Sequence, residues 1–85
     1  MLTIVNEKGL HARASAKFAE LCEGFGASCE VRRGDEAAAG DSIMGLLMLA
    51  ASRGTQIEVE TSGPEAEALM DALDALVADR FGEGM

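Results

Sequence analysis

Eighty-five residues with a formal charge of −8, 48% apolar content and three phenylalanines as the only aromatic side chains leave room for one domain, 1–85, because domains usually run to about 100–200 residues. So short a chain buries only about 60–65% of the surface it exposes when unfolded, which excludes a deep, enclosed active site. Scarce stacking surfaces and an acidic balance likewise exclude nucleic acid as a partner.

Two cysteines, Cys22 and Cys29, cannot build the dense disulfide framework of small secreted domains, and no basic segment leads into a long apolar run with a cleavage site. A reduced, cytoplasmic setting is the expectation. The longest apolar run, 43–51, contains Gly45 and is far shorter than the roughly 20 residues that span a bilayer, so no membrane insertion is expected. The charge is uneven along the chain. Residues 1–33 carry five basic side chains (Lys8, Arg13, Lys17, Arg32, Arg33) against four acidic ones, whereas 34–85 carry two against eleven. Clustering of the first five would keep one site attractive to anions on an acidic protein.

In chain order, Leu2-Thr3-Ile4-Val5 alternates and is β-branched, predicting a first strand that ends at Asn6 and the turn residue Gly9. From Ala12 to about Glu23, Ala14, Phe18, Leu21 and Cys22 recur at helical spacing, with Lys17, Glu20 and Glu23 left to water. Ser28 to Arg32 alternates again and, across Gly34-Asp35, forms a hairpin with the weakly apolar 36–39. Asp41 and Ser42 are N-cap candidates for a short apolar helix from Ile43 to Leu49, with Gly54 as its stop signal. Thr55 to Thr61 places Ile57 and Val59 on one face and Glu58 and Glu60 on the other. Pro64 fits the first turn of a last helix carrying Leu69, Leu73 and Val77 inward. The order βαββαβα with half-polar strands predicts an α/β (α+β) open-faced sandwich: a four-stranded, mostly antiparallel sheet with three helices on one face.

The sole histidine, His11, stands where the Gly9-Leu10 turn hands over to the first helix, with Arg13 and Lys17 following. Unpaired amides and the positive end of the helix dipole make such a position ready for a phosphate or other anion. Placement alone fits an ordinary capping histidine as well.

The string Asn6-Glu7-Lys8-Gly9-Leu10-His11-Ala12-Arg13-Ala14-Ser15-Ala16-Lys17-Phe18 closely resembles the active-site segment of HPr, the histidine-containing phosphocarrier family of the bacterial phosphoenolpyruvate-dependent phosphotransferase system. A second stretch, Asp41 to Leu49 followed by Arg53-Gly54, resembles the family's regulatory serine segment and docking helix. The resemblance implies an HPr-like fold and a carrier that is not itself an enzyme and needs no cofactor. It implies that His11 takes a phosphoryl group on Nδ1 from phospho-Enzyme I and passes it to IIA components, in sugar uptake or in nitrogen and carbon regulation. Arg13 would neutralise the phosphate, with Ala12, Ala14 and Lys17 as further phosphate-binding positions. The family's usual proline after the arginine is Ala14 here, which restores an N–H at the first turn. Ser15 has three open roles: a cap, a phosphate contact or plain helix surface.

Ser42 reads as an N-cap and, by the resemblance, as a site for HPr kinase/phosphorylase. Ile43, Met44 and Leu47 are the expected docking patch, while Leu46, Leu49 and Met48 are assigned to the core. Cys22, Cys29 and His11 lack the paired spacing of zinc sites, so no metal is expected. The expected state is a monomer. The rival reading is a noncovalent regulatory or ligand-binding module of similar architecture.

Overall fold

The computed structural model describes residues 1–83. Its elements are β1 (Leu2–Thr3), α1 (Ala12–Glu23), β2 (Ser28–Arg33), β3 (Glu36–Ala39), α2 (Ile43–Met48), β4 (Gln56–Ser62) and α3 (Ala66–Ala78), followed by a 3₁₀ turn at Arg80–Gly82. The four strands form one sheet in the order β1-β4-β2-β3, each neighbouring pair antiparallel. The βαββαβα order and the open-faced sandwich anticipated from the sequence are both present. No helix among the described residues is long and apolar enough to cross a membrane.

Register follows from burial. Val31 lies opposite Val59 and Leu2 opposite Ile57, so one face of the sheet is apolar and meets the helices. The same period of two sends Glu30, Arg32, Glu58 and Glu60 to the other face. There Glu30 is directly opposite Glu60, a like-charge pairing that costs stability unless neutralised. The Arg32 guanidinium does so by bridging Glu30, Glu58 and Glu60. Phe18 from α1, Leu46 from α2, Leu69 and Leu73 from α3, and Phe81 fill the layer beneath the helices, each fully buried.

Several boundaries differ from the sequence expectation for identifiable reasons. β1 has two paired residues rather than four, because Ile4 turns its bonds to the loop before β4: its amide donates to the Thr55 carbonyl at 2.9 Å and its carbonyl accepts from Gly54 at 2.8 Å. α2 ends at Met48 without reaching Gly54, since Ala50 adopts the left-handed φ of 52°. Gly54, at φ 87°, serves the turn into β4 instead. Pro64 precedes the N-cap of α3, Glu65, rather than lying in the first turn; the Glu65 carboxylate leaves the helix and accepts from the Gly26 amide at 2.5 Å.

Met48 is also not a core residue, being 72% exposed. Leu46 and Leu49 occupy the inward face of α2, and Met48, four residues after the exposed Met44, falls on the outward one.

Candidate functional site

His11 is positioned by the turn that precedes it. Gly9 has φ 65°, and a Cβ there would lie 2.4 Å from the Ala51 carbonyl oxygen, so glycine alone lets this turn press against the segment after α2. The neighbouring Leu10 amide donates to that same Ala51 carbonyl at 2.9 Å, and the Asn6 side-chain amide donates to the Gly9 carbonyl at 2.8 Å. Ser15 is fully buried and its hydroxyl donates to the Leu10 carbonyl at 3.2 Å. It is therefore neither a helix-surface residue nor a phosphate contact; it ties the first turn of α1 to the residue before His11.

His11 is the N-cap of α1, with extended backbone and Nδ1 accepting from the Arg13 amide at 3.3 Å. Its other nitrogen, Nε2, meets the carboxylate of Glu83. The second oxygen of Glu83 accepts from the Asn6 side-chain amide at 2.9 Å. One chain of contacts thus runs from the Gly9 carbonyl through Asn6 and Glu83 to the imidazole. A carboxylate at Nε2 holds the proton on that nitrogen and leaves Nδ1 with its lone pair, facing the positive end of α1.

Glu83 reaches the ring because the chain reverses after α3. Arg80 and Phe81 take left-handed φ values of 54° and 53°, followed by Gly82 at 75°. Left-handed backbone costs about 1–2 kcal/mol per non-glycine residue, and full burial of the Phe81 side chain returns about 1.5–3 kcal/mol. The Lys17 ammonium adds a hydrogen bond to the Phe81 carbonyl at 2.6 Å. The Asn6 amide, and to a smaller degree His11 and Lys8, hold the Glu83 carboxyl below the usual carboxylate range.

A recess of about 250 Å³ opens at this point, lined by Glu7, Lys8, His11, Arg13, Gly82 and Glu83. The structure brings Arg13 to the predicted acceptor and adds Lys8. It does not bring Lys17, whose charge is committed to Phe81, nor Arg32 and Arg33, which serve the open sheet face and the Leu49 carbonyl. The five early basic residues therefore do not form one cluster. Ala12 is exposed beside the ring, while the Ala14 side chain is fully buried, so only its backbone could take part.

Ser42 caps α2, its hydroxyl accepting from the Gly45 amide at 3.0 Å. Ile43 and Met44 are 43% and 68% exposed, and with Met48 they make an apolar surface; Leu47 is half-buried beside them. The Leu10–Ala51 hydrogen bond holds the segment just after α2 against the His11 turn. Among the described residues no three His, Cys, Asp or Glu side chains gather as metal ligands.

A histidine presented at a helix N-terminus beside Arg13 and Lys8, on an open-faced sandwich, is the arrangement of a small carrier domain. Residues 1–79 match the family described as the PTS HPr component phosphorylation site, and the chain belongs to it. It is 49% identical to the phosphocarrier protein HPr of Cupriavidus necator, over 96% of this chain and 92% of that one. It is 42% identical to the phosphocarrier protein NPr of Shewanella violacea, over 96% and 90%. The crystal structure of HPr-C-His from Thermoanaerobacter tengcongensis superposes with a TM-score of 0.94 at 31% identity, covering 99% of this chain and 94% of that one. The chain is a phosphocarrier of the phosphotransferase system, without turnover of its own.

Sequence reasoning missed Glu83 and the role of Asn6. Asn6 stood within the matched motif, and its complete burial is a signal only structure supplies. The Glu83 contact also gives a pH signature. Because its folded pKa is depressed, the stability it contributes is present above the ordinary glutamate range and is lost as pH falls through the lowered value. The difference in urea midpoint between the parent and Glu83→Gln should shrink as pH falls through the lowered glutamate value. A difference that does not change with pH would show that the carboxylate charge is not engaged.

Proposed function

We propose that His11 is the phosphoryl acceptor, charged on Nδ1 by phospho-Enzyme I and discharged to a IIA component, in the cytoplasm. The observation that carries this reading is the pairing of the two ring nitrogens with different partners: Nε2 with the Glu83 carboxylate, Nδ1 with the amide end of α1. In each transfer the phosphorus–nitrogen bond of the donor breaks as one to the acceptor nitrogen forms. The Nε2 proton stays on the ring, opposite a carboxylate that stabilises the positive charge the ring gains. Catalysis of this kind is mainly alignment and charge shielding, which a shallow site completed by a larger partner can provide.

Arg13 lines the recess and would screen the equatorial oxygens, and the Ala12 and Ala14 amides at the helix N-terminus are donors for them. Lys17 has the weaker claim, since binding phosphate would require it to leave the Phe81 carbonyl. Ile43, Met44 and Leu47 would dock both donor and acceptor; methionine adapts to unlike surfaces, and Met48 extends the same patch. Ser42 is the proposed target of HPr kinase/phosphorylase. A phosphate there would sit at the start of α2, which tolerates negative charge, and would repel an acidic partner surface without unfolding the helix.

Incubation with phosphoenolpyruvate, Mg²⁺ and cognate Enzyme I should add one acid-labile phosphoryl group to the intact mass, absent in His11→Ala. Arg13→Ala should keep the fold and slow both charging and discharge by roughly 10-fold or more, the scale of one lost charge-assisted contact. Failure of the parent to be modified under conditions that charge a control HPr would favour the noncovalent module instead. For Ser42, kinase and ATP should label the peptide containing it, and Ser42→Ala should abolish labelling and cost about 1 kcal/mol by urea unfolding through loss of the cap. Label on another residue would remove Ser42 from the scheme.

A further inference from the structure

Away from His11 the chain carries a pair of nucleophilic side chains, Cys22 and Cys29. Cys22 projects inward from the last turn of α1 and is buried, while Cys29 stands on β2 and is partly exposed; both are free thiols. They meet beneath the turn that leads from β3 to α2. A Cβ on Gly40 would lie 2.6 Å from the Cys29 sulfur and 3.0 Å from the Cys22 sulfur, both far inside contact distance. Gly40 has no left-handed φ to explain it. The glycine leaves the space that the two sulfurs share. Its amide donates to the Cys29 carbonyl at 2.8 Å, which fixes β2 at this point.

The pair is also reachable. A recess of about 230 Å³, lined by both cysteines together with Ala27, Ser28, Ala39 and Asp41, opens over the sulfurs. Their environments divide the chemistry between them. The neighbouring Cys29 sulfur and burial push the pKa of the Cys22 thiol above the ordinary range, while the Cys22 thiol lowers that of Cys29. Asp41 opposes ionisation of both. Cys29 is the accessible member and Cys22 the buried one, the division of labour of an attacking and a resolving thiol.

We propose that Cys22 and Cys29 form a redox modification site, closing to an intramolecular disulfide between α1 and β2 by exchange with a low-molecular-weight disulfide such as oxidised glutathione. In the first step the Cys29 thiolate attacks one sulfur of the small disulfide, giving a mixed disulfide on Cys29 and releasing one small thiolate. In the second, the Cys22 sulfur attacks Cys29, loses its proton to solvent and expels the second small thiolate. The two protein thiols are oxidised by two electrons and one small disulfide is reduced to two thiols. Excess reduced thiol reverses both steps, as expected of a responsive rather than a structural bridge in a reducing compartment.

The test is incubation of the reduced full-length protein with oxidised glutathione, acid quenching, alkylation of remaining thiols and intact mass under non-reducing conditions. The parent should lose two hydrogens, take up no alkylating agent and, after cleavage following Glu23, keep the fragments containing Cys22 and Cys29 joined until reduced. Cys22→Ser should instead accumulate glutathione on Cys29, and Cys29→Ser should leave Cys22 as a thiol. Circular dichroism of each variant identifies any loss of fold, and the parent result stands independently of them. A parent that stays fully alkylatable, that retains glutathione without closing, or that only links to a second molecule would overturn the proposal. So would a folded Cys29→Ser protein that takes up glutathione on Cys22 as fast as Cys22→Ser does on Cys29.

Discussion

The contact between the Glu83 carboxylate and Nε2 of His11 sets which ring nitrogen keeps its lone pair exposed, and on the proposed reading which one accepts the phosphoryl group. An imidazole has two similar nitrogens, and a carrier that released its proton from either would offer two chemistries to each partner. A carboxylate at one fixes the tautomer and leaves the other with its lone pair. Much of the molecule contributes to that geometry. Phe81 anchors the chain reversal in the core, Lys17 holds its carbonyl, and Asn6 links the Glu83 carboxylate to the Gly9 turn. The side of the recess facing Nδ1 is by comparison sparse: one arginine, one lysine and the first amides of α1. Such a site needs a partner to complete it, which agrees with a carrier whose phosphoryl group must leave as readily as it arrives.

The −8 charge is distributed to suit this. Carboxylates on α3 and the open sheet face keep the surface solvated, and Arg32 relieves the one cross-strand repulsion that the register creates. Near His11, Lys8 and Arg13 balance Glu7 and Glu83, so the recess is locally neutral on a strongly acidic protein. Beside it, the apolar outer face of α2 supplies contact area without charge, and docking there would depend little on salt.

Element order, sheet type and the inward residues of α1, β4 and α3 were legible because period two and period 3.6 leave unambiguous marks in the sequence. His11, Arg13 and Ser42 were legible as candidates because they stand at helix starts, where local chemistry is written locally. Glu83 was not, being 72 residues from the ring it contacts; no window of sequence pairs them, and the left-handed backbone that brings them together starts at two non-glycine residues, Arg80 and Phe81. Lys17 lies one turn beyond Arg13 on the same helix face, but its ammonium bonds the Phe81 carbonyl, a partner from the end of the chain that no local window shows. Met48 misled because in a six-residue helix, apolar on every side, composition does not say which face is inside.

On the proposed reading, phosphate is carried on Nδ1 of His11 while Nε2 keeps its proton against Glu83. Long-range proton–nitrogen correlation of the imidazole in uniformly ¹⁵N-labelled protein, recorded before and after charging by Enzyme I and phosphoenolpyruvate, reads both nitrogens directly. Expected are a ring protonated at Nε2 before charging and phosphorus coupling at Nδ1, with Nε2 still protonated, afterwards. Phosphorus coupling at Nε2, or an unphosphorylated ring protonated at Nδ1 alone, would overturn this assignment.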